Sequence, residues 1–380
     1  MASSSGLKIL LVAEGSGGHL IPALQVAHAL ADAGARIKVW YANRQPTALL
    51  SSALAHAIRG ASVEVDPIPL YGASTPLNRL RQCGELWHRA QQCFEAFAPD
   101  VVVGFGGWVS APVVLAACLR RAIRQRRIGC LLHEQNVLMG RANRVLAPWV
   151  DRVAISFRET SPGRGAASTV MTGLPTRRQI GCGSRAEAAE QFGLDPNRPT
   201  LLVLGGSQGA RAINRLMIRL VAQLAPAEQR TWQVIHLTGA TDEAIVRTAY
   251  AASAVRAWVA PFLVEMEAAY AQADLVMARA GASTIAELAQ CGKPAILIPY
   301  PHAGGHQRVN AQLVETVGGG LMMEEAAATV ERLLGAMRRI LADPRLRELM
   351  GAQMHALHHG NATERLAQAI LDLADTGHAA

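Results

Sequence analysis

Short, uninterrupted apolar runs recur along the chain at residues 8–13, 36–41, 101–105, 128–133, 152–156, 200–204, 233–237, 274–278 and 294–298. They are continuous rather than alternating, which is the pattern of parallel strands covered on both faces. Helical stretches at 20–33, 111–124, 210–224 and 282–291 lie between them. That alternation predicts an α/β protein built from doubly wound parallel sheets. LLVAEGSGGH (10–19) and LLVLGGSQGA (201–210) repeat one layout of apolar strand, glycine corner and helix, and each opens one half of the chain. A chain of 380 residues also exceeds what one hydrophobic core usually supports. The expected architecture is two Rossmann-like domains facing each other across a cleft. The first is predicted over 1–172 and the second over 173–357, with a last helix at about 358–380 returning to the first. Between them, 156–185 is rich in Gly, Ser, Pro and Arg; SPGRGAAS (161–168) reads as a surface loop and GLPTRR (173–178) as the crossover. Two further helical patterns lie near 329–342 and 363–374.

Composition narrows the partners. Cysteines fall at 83, 93, 118, 130, 182 and 291, with no CxxC pair, so a reduced protein with small thiols is expected. The formal charge of +8 points to anionic partners. Aromatic residues rarely interleave with the arginines, which argues against nucleic acid. No signal peptide is read: KILLVA is too short and is followed by Glu14. Residues 101–119 are uncharged and long enough to span a bilayer, but Gly104, Gly106, Gly107, Ser110 and Pro112 interrupt them. They read instead as a buried strand, a glycine loop and a helix start.

In EGSGGH (14–19) the adjacent Gly17 and Gly18 let a ligand approach the backbone, and the free N–H groups of the following helix favour negative charge. Pro22 is expected in the first helical turn. The spacing is not GxGxxG. A lone glycine corner is most simply a tight turn, but His19 beside it has a pKa suited to general-base work. GGSQGA (205–210) forms a second corner, with Ser207 facing a phosphate or sugar. In RAGASTIAE (279–287), Ser283 and Thr284 are placed to cap a helix whose start is a pyrophosphate seat. Glu287, about one turn in, is positioned for ribose hydroxyls, although alone it reads as a solvated residue. His302 through Asn310 read as a polar loop after the strand AILIPY. HEQN (133–136) reads as a cleft edge or a solvated loop. No Asp-x-Asp occurs, so a metal-clamped diphosphate is not supported; no metal and no cofactor are expected.

GSGGH (15–19), GGWVSAP (106–112), HEQN (133–136), GLPTR (173–177), GGSQGA (205–210), RAGASTIAE (279–287) and HQRVNA (306–311) follow one another in a single order. Together they resemble the MurG family, inverting glycosyltransferases of the GT-B fold in bacterial peptidoglycan synthesis. The resemblance implies transfer of N-acetylglucosamine from UDP-N-acetylglucosamine to the 4-hydroxyl of a muramoyl-pentapeptide carried on undecaprenyl diphosphate. It implies that Ser16, Gly17 and Gly18 approach the substrates' diphosphate or sugar, and that His19 is the base. Asn136 would meet the donor sugar, and Arg177 and Ser207 the donor phosphate and sugar. Leu263 would present backbone to uracil. Ala282, Ser283, Thr284, Ile285 and Ala286 would seat the pyrophosphate, Glu287 would take the ribose, and Gln307 would bond the sugar hydroxyls. The chain departs from the family pattern at Glu14 (usually Gly), Ser16 (usually Thr), Leu174 (usually Asn) and Gly304–Gly305 (often charged).

A lipid-linked acceptor implies an anionic membrane surface as partner, peripheral attachment on the cytoplasmic face of the cell membrane, and neighbouring cell-wall synthesis proteins. LNRLRQCGELWHRAQQ (77–92) and RRAIRQRR (120–127) supply basic, partly apolar segments for that contact. Other readings are a GT-B transferase of a UDP-hexose to another lipid, a UDP-sugar 2-epimerase, and a non-enzymatic nucleotide-binding regulator.

Overall fold

The computed structural model describes residues 6–15, 17–43, 63–69, 75–123, 128–163, 165, 168–206 and 208–378. The chain divides into two compact units: residues 1–177 with 359–380, and residues 178–358.

The first unit is a parallel sheet of seven strands in the order β3-β2-β1-β4-β5-β6-β7. The strands are β1 (Lys8–Glu14), β2 (Arg36–Asn43), β3 (Val63–Pro69), β4 (Val101–Gly104), β5 (Gly129–Glu134), β6 (Arg152–Ile155) and β7 (Ser168–Met171). Among the described residues the helices before the crossover are α1 (Gly17–Asp32), α2 (Pro76–Ala96), α3 (Gly107–Ile123) and α4 (Arg141–Leu146). β1, β4 and β5 are buried along almost their whole length, because hydrophobic layers cover both faces. One layer joins Ile9, Leu11, Val26 and Leu30 to Leu366, Ile370 and Leu373. The other joins Leu10, Val102 and Leu132 to Leu86, Val113 and Val114.

Those C-terminal leucines belong to the last helix, α13 (Ala362–His378). It packs on α1 and β5, and Arg152 Nη1 donates to Ala369 O at 3.0 Å. The chain therefore returns to its first unit to complete one face of that sheet.

The second unit repeats the plan with six parallel strands, in the order β10-β9-β8-β11-β12-β13. They are β8 (Thr200–Leu204), β9 (Gln233–Leu237), β10 (Arg256–Ala260), β11 (Leu275–Ala278), β12 (Ala295–Leu297) and β13 (Gly320–Met322). Its helices are α5 (Arg185–Phe192), α6 (Arg211–Gln223), α7 (Glu243–Ala251), α8 (Met266–Gln272), α9 (Ala282–Cys291), α10 (His306–Thr316), α11 (Val330–Ala342) and α12 (Pro344–His355). Buried apolar residues of α6 and α11 pack on one face of this sheet.

Local boundaries differ from the sequence reading at instructive places. α1 begins at Gly17, so Pro22 sits in the second turn, not the first. Pro112 holds the same sixth position in α3, so each helix lacks one i→i−4 donor near its start. His306 to Asn310 are not loop but the opening of α10. Gly304 and Gly305, at φ of 61° and 85°, turn the chain into it.

Candidate active site

In an open parallel sheet, ligands bind beyond the carboxyl ends of the strands, where the strand order reverses. In the first unit that point lies between β1 and β4, and in the second between β8 and β11. Both switch points are flanked by the glycine corners: Glu14, Gly15, Gly17 and Gly18 with Phe105–Gly107 in the first, Gly205, Gly206 and Gly209 with Arg279–Gly281 in the second.

At the first switch point Gly106 and Gly107 both take positive φ, 79° and 78°. A Cβ on Gly106 would lie 3.5 Å from His19 Nε2, 3.4 Å from Gln135 Oε1 and 3.5 Å from Asn143 Nδ2. The corner thus collects His19, in the first turn of α1, with two amides from the chain beyond β5. Gly17, Gly18 and His19 are partly exposed there. Ser16 lies outside the described residues.

Beneath His19 is a buried polar network that the sequence reading took as a cleft edge or solvated loop. His133, Glu134 and Gln135 are at most 2 % exposed. Gln135 Nε2 donates to Phe105 O at 2.9 Å and approaches His133 Nδ1 at 3.1 Å. His133 Nε2 faces Gly173 O at 3.3 Å. These partners assign the proton to Nε2 and acceptance to Nδ1. Burial pulls the His133 pKa down to about 4; the Gly173 carbonyl opposes this, and the charge of His19 adds to it. A neutral His133 therefore fixes Gln135, whose amide oxygen is left toward the His19 corner. Glu134 accepts Asn136 N and Nδ2, Gly140 N and Asn143 Nδ2. Asn136 is folded against that carboxylate, and its carbonyl accepts Thr160 Oγ1 at 3.0 Å.

At the second switch point glycine is imposed by packing. A Cβ on Gly209 (φ 77°) would lie 2.1 Å from Thr238 O, and one on Gly239 would lie 2.5 Å from Gln208 O. Ser207 lies outside the described residues. α6 and α9 begin at Ala210 and Gly281 caps with no side-chain hydrogen bond. Ser283 and Thr284 therefore do not cap α9, as the sequence had suggested; Gly281 does, in extended conformation. The first-turn N–H groups of Ala282, Ser283 and Thr284 are thereby left for an anion. The Ser283 hydroxyl is buried with no hydrogen-bond partner among the described residues. Ile285 is fully buried, its N–H bonded to Gly281 O at 3.1 Å, and Ala286 is partly buried.

Glu287 is not a solvated helix residue. It is 8 % exposed and accepts the Tyr270 hydroxyl at 2.9 Å. Gln307 opens α10, and its Oε1 accepts both Ala280 N (3.2 Å) and Tyr300 N (2.9 Å). That leaves the amide nitrogen as the donor end. Asn310 donates to Ala280 O at 3.2 Å. Arg279 donates to Ile298 O at 3.1 Å and pairs with Glu325. Asn310, Arg279 and Tyr270, absent from the sequence-derived site, thus hold the loops after β11 and β12. Leu263 follows β10 and makes no hydrogen bond among the described residues. Arg177 is the last residue of the first unit. Among the described residues no group of three or more His, Cys, Asp or Glu is placed to hold a metal ion.

The glycosyltransferase family 28 N-terminal domain matches residues 9–155, and the family's C-terminal domain matches residues 200–372. A Syntrophotalea carbinolica protein is 38% identical over 353 residues, covering 91% of this chain and 93% of its own. A Nocardioides protein is 37% identical over 378 residues, covering 97% and 98%. Both are named UDP-N-acetylglucosamine--N-acetylmuramyl-(pentapeptide) pyrophosphoryl-undecaprenol N-acetylglucosamine transferase. The crystal structure of Acinetobacter baumannii MurG superposes with a TM-score of 0.72 at 25% identity, over 97% of this chain and 99% of that one. A Neisseria meningitidis UDP-GlcNAc 2-epimerase shares the fold at 11% identity. Fold, corners and relatives together define a GT-B glycosyltransferase. The chain belongs to glycosyltransferase family 28, within its MurG members.

Proposed function

We propose that this chain transfers N-acetylglucosamine from UDP-N-acetylglucosamine to the 4-hydroxyl of a muramoyl-pentapeptide on undecaprenyl diphosphate, with inversion at the anomeric carbon. The observation that carries the reading is the similarity to transferases of that name, which extends over nearly the whole of both chains.

In this reading the second unit holds the donor. The start of α9, whose glycine cap makes no side-chain hydrogen bond, takes the diphosphate, and its N–H groups stabilise the charge that grows as UDP leaves. Glu287, oriented by Tyr270, accepts from the ribose hydroxyls, and Leu263 backbone meets the uracil. The Gln307 amide nitrogen donates to the sugar; Asn136, Arg177 and Ser207 add sugar and phosphate contacts. In the first unit His19 takes the proton of the acceptor hydroxyl as its oxygen bonds to the anomeric carbon. The bond from that carbon to the UDP oxygen breaks in the same step, and Gly17 and Gly18 leave room for the acceptor.

The acceptor's lipid calls for a peripheral position on the cytoplasmic face of the membrane. Among the described residues no helix is long and apolar enough to cross one. On α2, Leu77 and Leu80 are 76 % and 72 % exposed, with Arg81 beside them. Val145 and Trp149 project similarly at and after α4. Leu86 and Trp87, grouped with Leu77 in the sequence reading, instead pack into the core, and Arg89 lies over the Trp40 ring. Of the basic run 120–127, residues 124–127 lie outside the described residues.

The test is transfer of radiolabel from UDP-N-acetylglucosamine to the lipid-linked muramoyl-pentapeptide. Labelled glycolipid is expected; release of an epimerised sugar with no glycolipid would replace this reading by the epimerase one.

A further inference from the structure

Glu324 and Glu325 follow β13, and each pairs with an arginine beside the Gln307 anchor. Glu324 pairs with Arg308, the residue after Gln307, at 2.9 Å. Those side chains are 41 % and 61 % exposed, and ion pairs so open to water contribute little. Glu325 opens a single 3-10 turn (Glu325–Ala327) and pairs with Arg279, the residue before Ala280. Here the side chains are 31 % and 11 % exposed, so water screens the pair far less. Among the described residues Glu325 is the one carboxylate within ion-pair reach of Arg279. Its Oε2 makes no aligned hydrogen bond, so charge rather than bond direction holds the pair.

The other side of the Arg279 guanidinium grips the next loop. Nη1 donates to Ile298 O at 3.1 Å and to Pro299 O at 3.3 Å, and Cζ lies 5.4 Å from the centre of the Tyr300 ring. Arg279 thus ties the end of β11 to the chain after β12. Those two stretches carry the N–H groups of Ala280 and Tyr300, which both reach Gln307 Oε1. Building on the reading of Gln307 as a donor-sugar contact, we propose that Glu325 is a positioning residue for the sugar half of the donor, acting through Arg279 on the Gln307 amide. A mostly buried guanidinium that loses its counter-charge is destabilised where it lies and turns toward water. It then releases Ile298 and Pro299, Ala280 and Tyr300 lose their common register, and the Gln307 nitrogen loses its aim. The nucleotide half is held by other contacts. Asn310 Nδ2 keeps Ala280 O, Ile285 N keeps Gly281 O, and the Tyr270 hydroxyl keeps Glu287.

Glu325→Gln keeps the shape of the side chain and removes its charge. UDP and UDP-N-acetylglucosamine are each titrated calorimetrically into the full chain and into E325Q. One neutral hydrogen bond to the sugar corresponds to about fivefold in affinity. E325Q is expected to bind UDP-N-acetylglucosamine about fivefold more weakly and UDP within about twofold of wild type. Arg279→Gln should show the same selective loss, and E325Q added to it should weaken sugar-nucleotide binding no further. Glu325→Asp, which keeps the charge on a shorter reach, should show a smaller loss of the same selectivity and serves if E325Q does not fold. Equal weakening toward both ligands is what a merely structural Glu325 would give, and it overturns the proposal. So do unchanged affinity for both, a further loss on adding E325Q to Arg279→Gln, and a wild-type chain that binds neither ligand. The titrations need no turnover. A selective loss in a protein that makes no glycolipid would therefore count against the functional reading and leave the placement of Glu325 intact.

Discussion

Tyr270→Phe probes the donor site most sharply because it deletes one oxygen. Tyr270 is 1 % exposed, and its hydroxyl donates to Glu287 Oε2 at 2.9 Å. Glu287 is itself 8 % exposed, so little water can replace the lost donor. A hydrogen bond to a charged group contributes about 1.5–3 kcal/mol. Taking ~2 kcal/mol, and a unit spanning residues 178–358, the melting transition of that unit should fall by about 4–8 °C. Glu287 also loses the contact that aims it at the ribose, so UDP affinity should fall as well. Calorimetry on the same preparation reads both: a melting scan for stability and a titration with UDP. A variant that melts with wild-type protein and binds UDP as tightly would refute the claim that Tyr270 positions Glu287. A variant that melts lower but keeps full UDP affinity would refute the ribose contact alone.

Burial holds His133 and His236 neutral, with pKa values down to about 4 and about 3. Both fall below the unfolded value, so the unfolded chain protonates first and stability drops as pH falls below ~6.5. At pH 5 the loss is about 2 kcal/mol per histidine; urea midpoints at pH 7 and pH 5 should show it, and His236→Gln should shrink the difference. Gly209→Ala forces a Cβ to 2.1 Å from Thr238 O at φ 77°. It should cost ~2 kcal/mol or more and weaken UDP binding, read by denaturation and titration. Leu77→Asp with Leu80→Asp should cut sedimentation with phosphatidylglycerol vesicles while leaving turnover of a soluble acceptor analogue unchanged.

The apolar runs legible in the sequence became β1, β2, β4, β5, β6, β8, β9, β11 and β12. The strands that were not legible are β3, β7, β10 and β13, the outer strands of the two sheets. An outer strand is less buried and needs no continuous apolar run: β7 is partly exposed throughout, and β3 carries Glu64, Asp66 and two prolines. The site divides in the same way. Glycine corners announce themselves because backbone geometry is written in local sequence. The contacts that aim the side chains are not local: Glu14 meets Trp108, Gln135 meets Phe105, Asn310 meets Ala280 and Tyr270 meets Glu287. Only folding brings such partners together, so Glu287 read as solvated and His133 as surface until their neighbours were in place. Ser283 and Thr284 misled for a related reason. Their residue type suits a cap, but an extended Gly281 already fills that position.

The account stands or falls on the division of labour between His19 and the second unit. Transfer of labelled N-acetylglucosamine and UDP affinity should be measured side by side for His19→Ala. Turnover should collapse while UDP affinity stays within about twofold, since one general base contributes about 10²–10⁴ in rate. Near-normal turnover with lost UDP binding would contradict it.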